Sequence, residues 1–242
     1  SMYSRIPMPR VTWTDEAMRY AMCFFPLTGA VIGAAELFFF LLCSRLGAGS
    51  IFRSCVAVAV PLLLTGGIHL DGYLDTSDAV HSYGSREKRL EIMKDPHTGA
   101  FALISLSVYI LLYLGAVSQL SADQAVLFPA IFVLERALSG LSVALFPLAK
   151  ESGLAATFSH AAAKKAVAVT SCVYLFLSFL WLFYFGGMCG IFCMAAAFFS
   201  FWRYYRLSVR EFGGITGDLA GYFLQACERD QMLVLALLTL II

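Results

Sequence analysis

Three observations predict an all-α, polytopic membrane helix bundle of about six to seven transmembrane helices. First, of 242 residues, 60% are hydrophobic and only 14% are charged. A soluble domain averages about 25% charged residues and 45–50% apolar ones. A globule with this composition, of mean hydropathy +0.79, has too little polar surface to stay in solution, which excludes a soluble enzyme, a coiled coil and a disordered chain. Second, apolar segments near the length of a spanning helix, about 20 residues, recur along the chain. Third, the basic residues cluster on alternate sides of those segments.

The segments lie at 21–46, 51–68, 99–119, 124–148, 166–186 and 187–206. Pro61, Pro129 and Pro147 fall within them, where proline kinks or ends a helix. A seventh segment, 219–242, is interrupted by Glu228, Arg229 and Asp230 and reads as an interfacial helix followed by a short span. With the N-terminus in the cytosol, thirteen Lys and Arg fall on the cytosolic side: Arg5, Arg10, Arg19, Arg86, Lys88, Arg89, Lys94, Lys150, Lys164, Lys165, Arg203, Arg206 and Arg210. Arg45 and Arg53 alone fall opposite. That asymmetry decides the orientation and supports the span assignment.

Net charge is +1, so no bulk field attracts nucleic acid. The seven cysteines lie mostly in apolar runs without a CxxC pair, as small buried side chains do. The first 20 residues lack a continuous apolar core, so no cleavable signal is expected. Without repeats or low-complexity stretches, one domain over 1–242 is the economical division.

The connection at 69–98 stands apart. It is 30 residues long and holds ten of the 33 charged residues and three of the four histidines; helix connections in bundles usually need about 2–8 residues, and longer ones are often functional. Asp71, Asp75 and Asp78 are spaced i, i+4, i+7, which on a helix stacks three carboxylates on one face. Like charges so placed repel, and a divalent cation would relieve them; oxygen donors suit Mg²⁺, Mn²⁺ or Ca²⁺. The EF-hand spacing fails, and zinc ligands at the right spacing are missing. The alternative is a solvated acidic helix end.

A second helical stretch, 86–95, puts Glu91 and Asp95 at i, i+4, with Arg86, Arg89 and Lys94 nearby. A metal held by acids beside basic clamps is what phosphoryl transfer requires, although a salt-bridged exposed helix would read the same way. No P-loop, GxSxG or HExxH motif occurs. Glu36, Glu135 and Arg136 sit within apolar segments, where each charge costs about 2.5–3.5 kcal/mol on insertion scales. Glu135 and Arg136, adjacent in sequence, are expected to point apart and find other partners. Gly213-Gly214-Ile215-Thr216-Gly217-Asp218 reads as a turn delivering Asp218 to a helix start as an N-cap.

Together these residues resemble the cobalamin synthase family, the adenosylcobinamide-GDP ribazoletransferases. The resemblance rests on His69-Leu70-Asp71-Gly72 with Asp75 and Asp78, on Glu91-Ile92-Met93-Lys94-Asp95 with Gly99, and on Gly213 to Asp218 with Gly221. Ile6-Pro7-Met8-Pro9-Arg10 and Phe25-Pro26-Leu27-Thr28-Gly29 match its N-terminal pattern. Gln225 departs from it, where members often carry Glu, while Glu228 keeps its acid.

The resemblance implies a membrane enzyme of the cytoplasmic (inner) membrane that joins adenosylcobinamide-GDP to α-ribazole or its 5′-phosphate, releasing GMP with Mg²⁺. It implies that Asp71, Asp75, Asp78 and Glu91 hold Mg²⁺ and that Asp95 is the general base or a further ligand. Arg86, Arg89 and Lys94 would bind the diphosphate, and His69, Thr216 and Asp218 would contact substrate at the rim. The implied partners are these small molecules and the lipid bilayer, with no nucleic acid and a possible homo-oligomer, and the active site faces the cytosol. The competing readings are a CDP-alcohol phosphotransferase, whose aspartate signature is loosely echoed, and a transporter using Glu36, Glu135 and Arg136.

Overall fold

The computed structural model describes residues 15–241, so the motif at Ile6 to Arg10 lies outside the described residues. These residues form helices and no β-strand. The order is α1 (Asp15–Arg45), α2 (Ser50–Thr65), α3 (Ile68–His81), α4 (Arg86–Ile92), α5 (Ala100–Ser118), α6 (Ala122–Ala125), α7 (Phe128–Leu145), α8 (Leu154–Ala161), α9 (Lys164–Gly186), α10 (Met188–Leu207), a π-helical turn (Ser208–Phe212) and α11 (Gly217–Ile241).

Proline acts as its geometry dictates. Pro129 lies in the first turn of α7, where its missing N–H costs nothing, and Pro147 follows the end of that helix. Pro26 and Pro61 lie inside α1 and α2. Gly66 and Gly67 both take positive φ and separate α2 from α3, which leaves at 94°.

Four helical stretches are long and apolar enough to cross a membrane: Met18–Arg45, Ala100–Ser118, Ala122–Leu145 and Lys164–Gly186. The α2–α3 pair makes a fifth if taken as one broken span. The sequence expectation of six to seven counted α10 and α11 as well. Both are long enough, at 20 and 25 residues, but α10 ends in Arg203 and Arg206, and α11 carries Asp218, Glu228, Arg229 and Asp230.

The expected break in the last segment is absent: α11 runs unbroken through Glu228, Arg229 and Asp230. Each charge finds a partner that lets the helix continue. Glu228 accepts from the Tyr113 hydroxyl. Arg229 donates to Asp230 at 2.6 Å and to the Tyr73 hydroxyl at 3.3 Å. Asp230 also accepts from Ser200 at 2.8 Å.

The core is built around α7, whose residues are buried on nearly every side. Gly29 and Gly33 of α1 let it approach closely: a Cβ at Gly29 would lie 2.3 Å from the Phe132 carbonyl oxygen, and one at Gly33 2.6 Å from Pro129 Cα. In this core Glu135 and Arg136 pair directly with each other, contrary to the expectation from their adjacency. Both are buried, so no water competes, and the long Arg side chain folds back to reach its neighbour and the Phe132 carbonyl. Glu36 and Glu228 are buried nearby, and Gln225 accepts from the Tyr109 hydroxyl at 2.8 Å.

Candidate active site

Asp71, Asp75 and Asp78 lie on the predicted helix, α3. That helix is held against α11 at two close approaches. A Cβ at Gly72 would lie 2.6 Å from the Asp218 carbonyl oxygen, and one at Gly221 3.0 Å from the His69 carbonyl. Farther along, Tyr73 stacks on Tyr222 with ring centroids 5.1 Å apart and planes within 10°. This packing adds a fourth carboxylate, Asp218, to the cluster.

The cluster is electrostatically unfavourable as it stands. Burial, with Asp71, Asp218 and Asp78 as like-charged neighbours, raises Asp75 to about 6. Asp218 is also raised, mainly by burial and further by Asp71, while Lys150 opposes the shift. The donor chemistry, all carboxylate oxygen, fits a hard divalent cation. Among the described residues, however, no three His, Cys, Asp or Glu side chains converge closely enough to hold a metal ion.

Asp78 departs from the group in one respect. Its two oxygens accept from the backbone N–H groups of Gly99 and Ala102, the latter at 2.9 Å. It therefore satisfies the start of α5, where helix N–H groups lack intrahelical partners.

The turn at 213–218 differs from expectation. Thr216, not Asp218, caps α11, its hydroxyl accepting from the Leu219 N–H at 3.1 Å. The Asp218 side chain is thereby left free to face the cluster. The turn is fixed by an isolated parallel bridge, Leu148 to Ile215, with Ile215 N–H donating to Pro147 at 2.8 Å and Ala149 N–H to Ile215 at 3.0 Å. That bridge carries Lys150 toward Asp218. Burial and the neighbouring Lys94 lower the Lys150 pKa, while Asp218 raises it. In the sequence Lys150 is one of thirteen cations expected on the cytosolic side and nothing sets it apart, because the bridge linking it to the turn joins segments 67 residues apart.

The second predicted stretch divides. The helix α4 ends at Ile92, so Glu91 and Asp95 do not share a helical face. The Glu91 side chain is exposed and pairs with Lys88 at 3.1 Å. Asp95 is exposed in a tight turn, accepting from the His97 backbone N–H at 2.9 Å and lying 2.7 Å from its ring Nδ1. The His97 N–H lowers its pKa, the wrong direction for a proton acceptor.

Arg86 donates to the Ala149 carbonyl at 3.2 Å and lies over Gly213. Arg89 pairs with Glu211. Both arginines thus tie α4 to the 147–149 loop and the π-helical turn. Of the predicted basic clamp, Lys94 lies near enough to Lys150 to repel it.

A cavity of about 130 Å³ opens beside the cluster. Asp71, Asp218 and His69 are on its wall with Met22, Phe25 and Phe158. His69 is buried in that wall, where the sequence expectation had it at the rim. Its ring meets Phe25 edge-on at 6.3 Å, and its Nε2 has no hydrogen-bond partner among the described residues. Burial, aided by Arg136, drives the His69 pKa to about 3, so the ring is neutral.

The family model described as cobalamin-5-phosphate synthase matches residues 1–239. An adenosylcobinamide-GDP ribazoletransferase from Lachnoclostridium phytofermentans is 47% identical over 228 residues, covering 94% of this chain and 87% of the relative. Proteins of the same name from Clostridium perfringens and Geobacillus thermodenitrificans are 32% and 31% identical, over 98% and 94% of this chain and 95% and 89% of the relatives. No solved structure matches the chain.

Proposed function

The chain belongs to the cobalamin-5-phosphate synthase family, and from that premise we propose that it joins adenosylcobinamide-GDP to α-ribazole, or its 5′-phosphate, and releases GMP. One observation carries the assignment to this site. Mutually repelling carboxylates (Asp71, Asp75 and Asp218) lie beside mutually repelling lysines (Lys94 and Lys150). Asp218 and Lys150 attract each other across the two groups, and the repulsion left within each group is of the kind that a magnesium nucleotide diphosphate would relieve, the cation for the carboxylates and the phosphates for the lysines.

In this reading Asp71 and Asp75 would be the protein's ligands to Mg²⁺, an ion that substrate phosphates would help to hold, and the ion would supply charge neutralisation on the diphosphate. Asp78 secures the start of α5 behind them. Lys94 and Lys150 bind the diphosphate oxygens, the part expected of Arg86, Arg89 and Lys94. Those two arginines position α4 instead, and Glu91 stays with Lys88.

The acceptor lies in the cavity, its aromatic base among Met22, Phe25 and Phe158 and facing the neutral His69 ring. Its ribose hydroxyl then reaches Asp218 at the cavity wall. The hydroxyl oxygen attacks the phosphorus that stays on cobinamide, the bond to the GMP oxygen breaks, and the hydroxyl proton passes to the Asp218 carboxylate. Asp218 is preferred to Asp95 because its raised pKa suits a proton acceptor. The prevalence of basic residues on one side of the spans supports a site that faces the cytosol.

The test is GMP release by the purified protein given adenosylcobinamide-GDP, α-ribazole and Mg²⁺. Asp71→Asn should lose several orders of magnitude in rate, since phosphoryl transfer relies on positioning and electrostatics. Asp95→Asn should keep most of it. Normal turnover by Asp71→Asn, or turnover only with a CDP-alcohol donor, would overturn the assignment.

A further inference from the structure

A second large concavity lies away from the carboxylates, between α10, the π-helical turn and α11. It has a volume of about 410 Å³, and Arg203, Arg206, Arg210 and Trp202 are on its wall. Arg203 and Arg206 lie one turn apart on α10, and the π-helical turn brings Arg210 to the same wall. Two acids also line it, Asp230 and Glu211, but each is engaged by a cation from outside the concavity. Asp230 pairs with Arg229 at 2.6 Å, and Glu211 pairs with Arg89. Arg203 lies 3.6 Å from the already paired Asp230, and Arg206 lies over the Trp202 ring at 4.9 Å. Positive charge is therefore in surplus.

A groove of about 460 Å³ adjoins this concavity, sharing Arg203 and Asp230. Otherwise its wall is hydrocarbon: Phe192, Ala195, Ala196 and Phe199 from α10, facing Leu233 and Val234 from α11. The α10 residues fall at i, i+3, i+4 and i+7, one stripe that leads directly to Arg203. Paired alanines between two phenylalanines leave the groove open.

From Phe192 to Arg203 a helix rises about 16 Å, at about 1.5 Å per residue. One leaflet of a bilayer's hydrocarbon core is about 15 Å thick, half of the whole. A basic pocket rimmed by Trp202, one leaflet's depth from the far end of an apolar groove, has the dimensions and polarity of a single lipid.

We propose that the joined groove and pocket of α10 and α11 bind one anionic phospholipid, its acyl chain along Phe192, Ala195, Ala196 and Phe199 and its phosphate at Arg203, Arg206 and Arg210. The apolar groove distinguishes this occupant from a free phosphate or a nucleotide, neither of which would fill it. The site is independent of the transferase reading, since none of these residues has been placed in the reaction.

Native mass spectrometry of the purified full chain, equilibrated with equal phosphatidylglycerol and phosphatidylcholine in detergent, tests this. The wild type should retain one phosphatidylglycerol per chain with about tenfold preference over phosphatidylcholine, the scale of one or two cation contacts at a membrane surface. Arg206→Gln with Arg210→Gln should erase the preference, and Ala196→Trp should reduce retention of both lipids. GMP release by each variant reports that it is folded. Equal retention of the two lipids, or a preference unchanged in the arginine variant, would overturn the proposal. So would displacement of the bound lipid by GDP or inorganic phosphate at comparable concentration, which would make the concavity a free-phosphate site.

Discussion

Gly72 and Asp218 meet backbone to backbone: a Cβ at Gly72 would sit 2.6 Å from the Asp218 carbonyl oxygen and 2.8 Å from its Cα. No flexible side chain can yield there, because both near atoms belong to the first turn of α11. Gly72→Ala should therefore push α3 off α11 and separate Asp71 from Asp218. The cost of such overpacking is about 1–3 kcal/mol, read as a lowered thermal midpoint. Displacement by about 1 Å should cut GMP release on the order of a hundredfold. A variant with wild-type turnover would show that Asp71 and Asp218 need not be held together.

Substitutions at Thr216 and Asp218 should separate capping from the proposed chemistry. Thr216→Ala removes the hydroxyl that accepts from Leu219 N–H and should cost about 1 kcal/mol of stability with the chemical step retained. Asp218→Asn keeps the cap and should lower kcat by about 10²–10⁴-fold, the usual worth of a general base. Steady-state GMP release and thermal melts on both variants distinguish the two roles. The reverse pattern would return Asp218 to the N-cap role expected from sequence.

Lys94 and Lys150 should act on the donor nucleotide. Replacing either by Gln should raise KM for adenosylcobinamide-GDP by about tenfold, the scale of one charged contact, while KM for α-ribazole stays put. The double variant should lose less than the product of the single losses, because neutralising one lysine relieves the repulsion on the other. Unchanged donor KM in Lys150→Gln would remove it from the site.

The acidic cluster makes stability depend on pH. An ordinary Asp titrates near 3.8, whereas Asp75 in the folded chain titrates near 6. The folded state thus holds the Asp75 proton more tightly than the unfolded one, and stability falls as pH rises between those values. With EDTA present, the thermal midpoint should decline over that window and level off above about pH 6. Asp75→Asn should flatten the decline, and Mg²⁺ should raise the midpoint of the wild type above pH 6 but not that of the variant. A midpoint rising from pH 4 to 6 in EDTA would contradict the sign.

The helical frame was legible in the sequence because it follows from short-range physics. Apolar runs of bilayer length, the period that stacks Asp71, Asp75 and Asp78, and proline or glycine at helix boundaries all act within a few turns. Tertiary structure alone decided which charges come together. Spacing could not show that Asp78 would be taken by the N–H groups of Gly99 and Ala102. Nor could it show that α4 would stop before Asp95, or that Arg86 and Arg89 would be spent fastening it. Lys150 comes near Asp218 only because two short backbone segments pair near Ile215. Glu135 and Arg136 pair in a dry core that also holds Glu36 and Glu228. Charge is long-ranged where water is excluded, so the packing of distant elements decides whether a charged side chain pairs with its neighbour in the chain, as Glu135 does with Arg136, or with a residue far along it, as Arg89 does with Glu211.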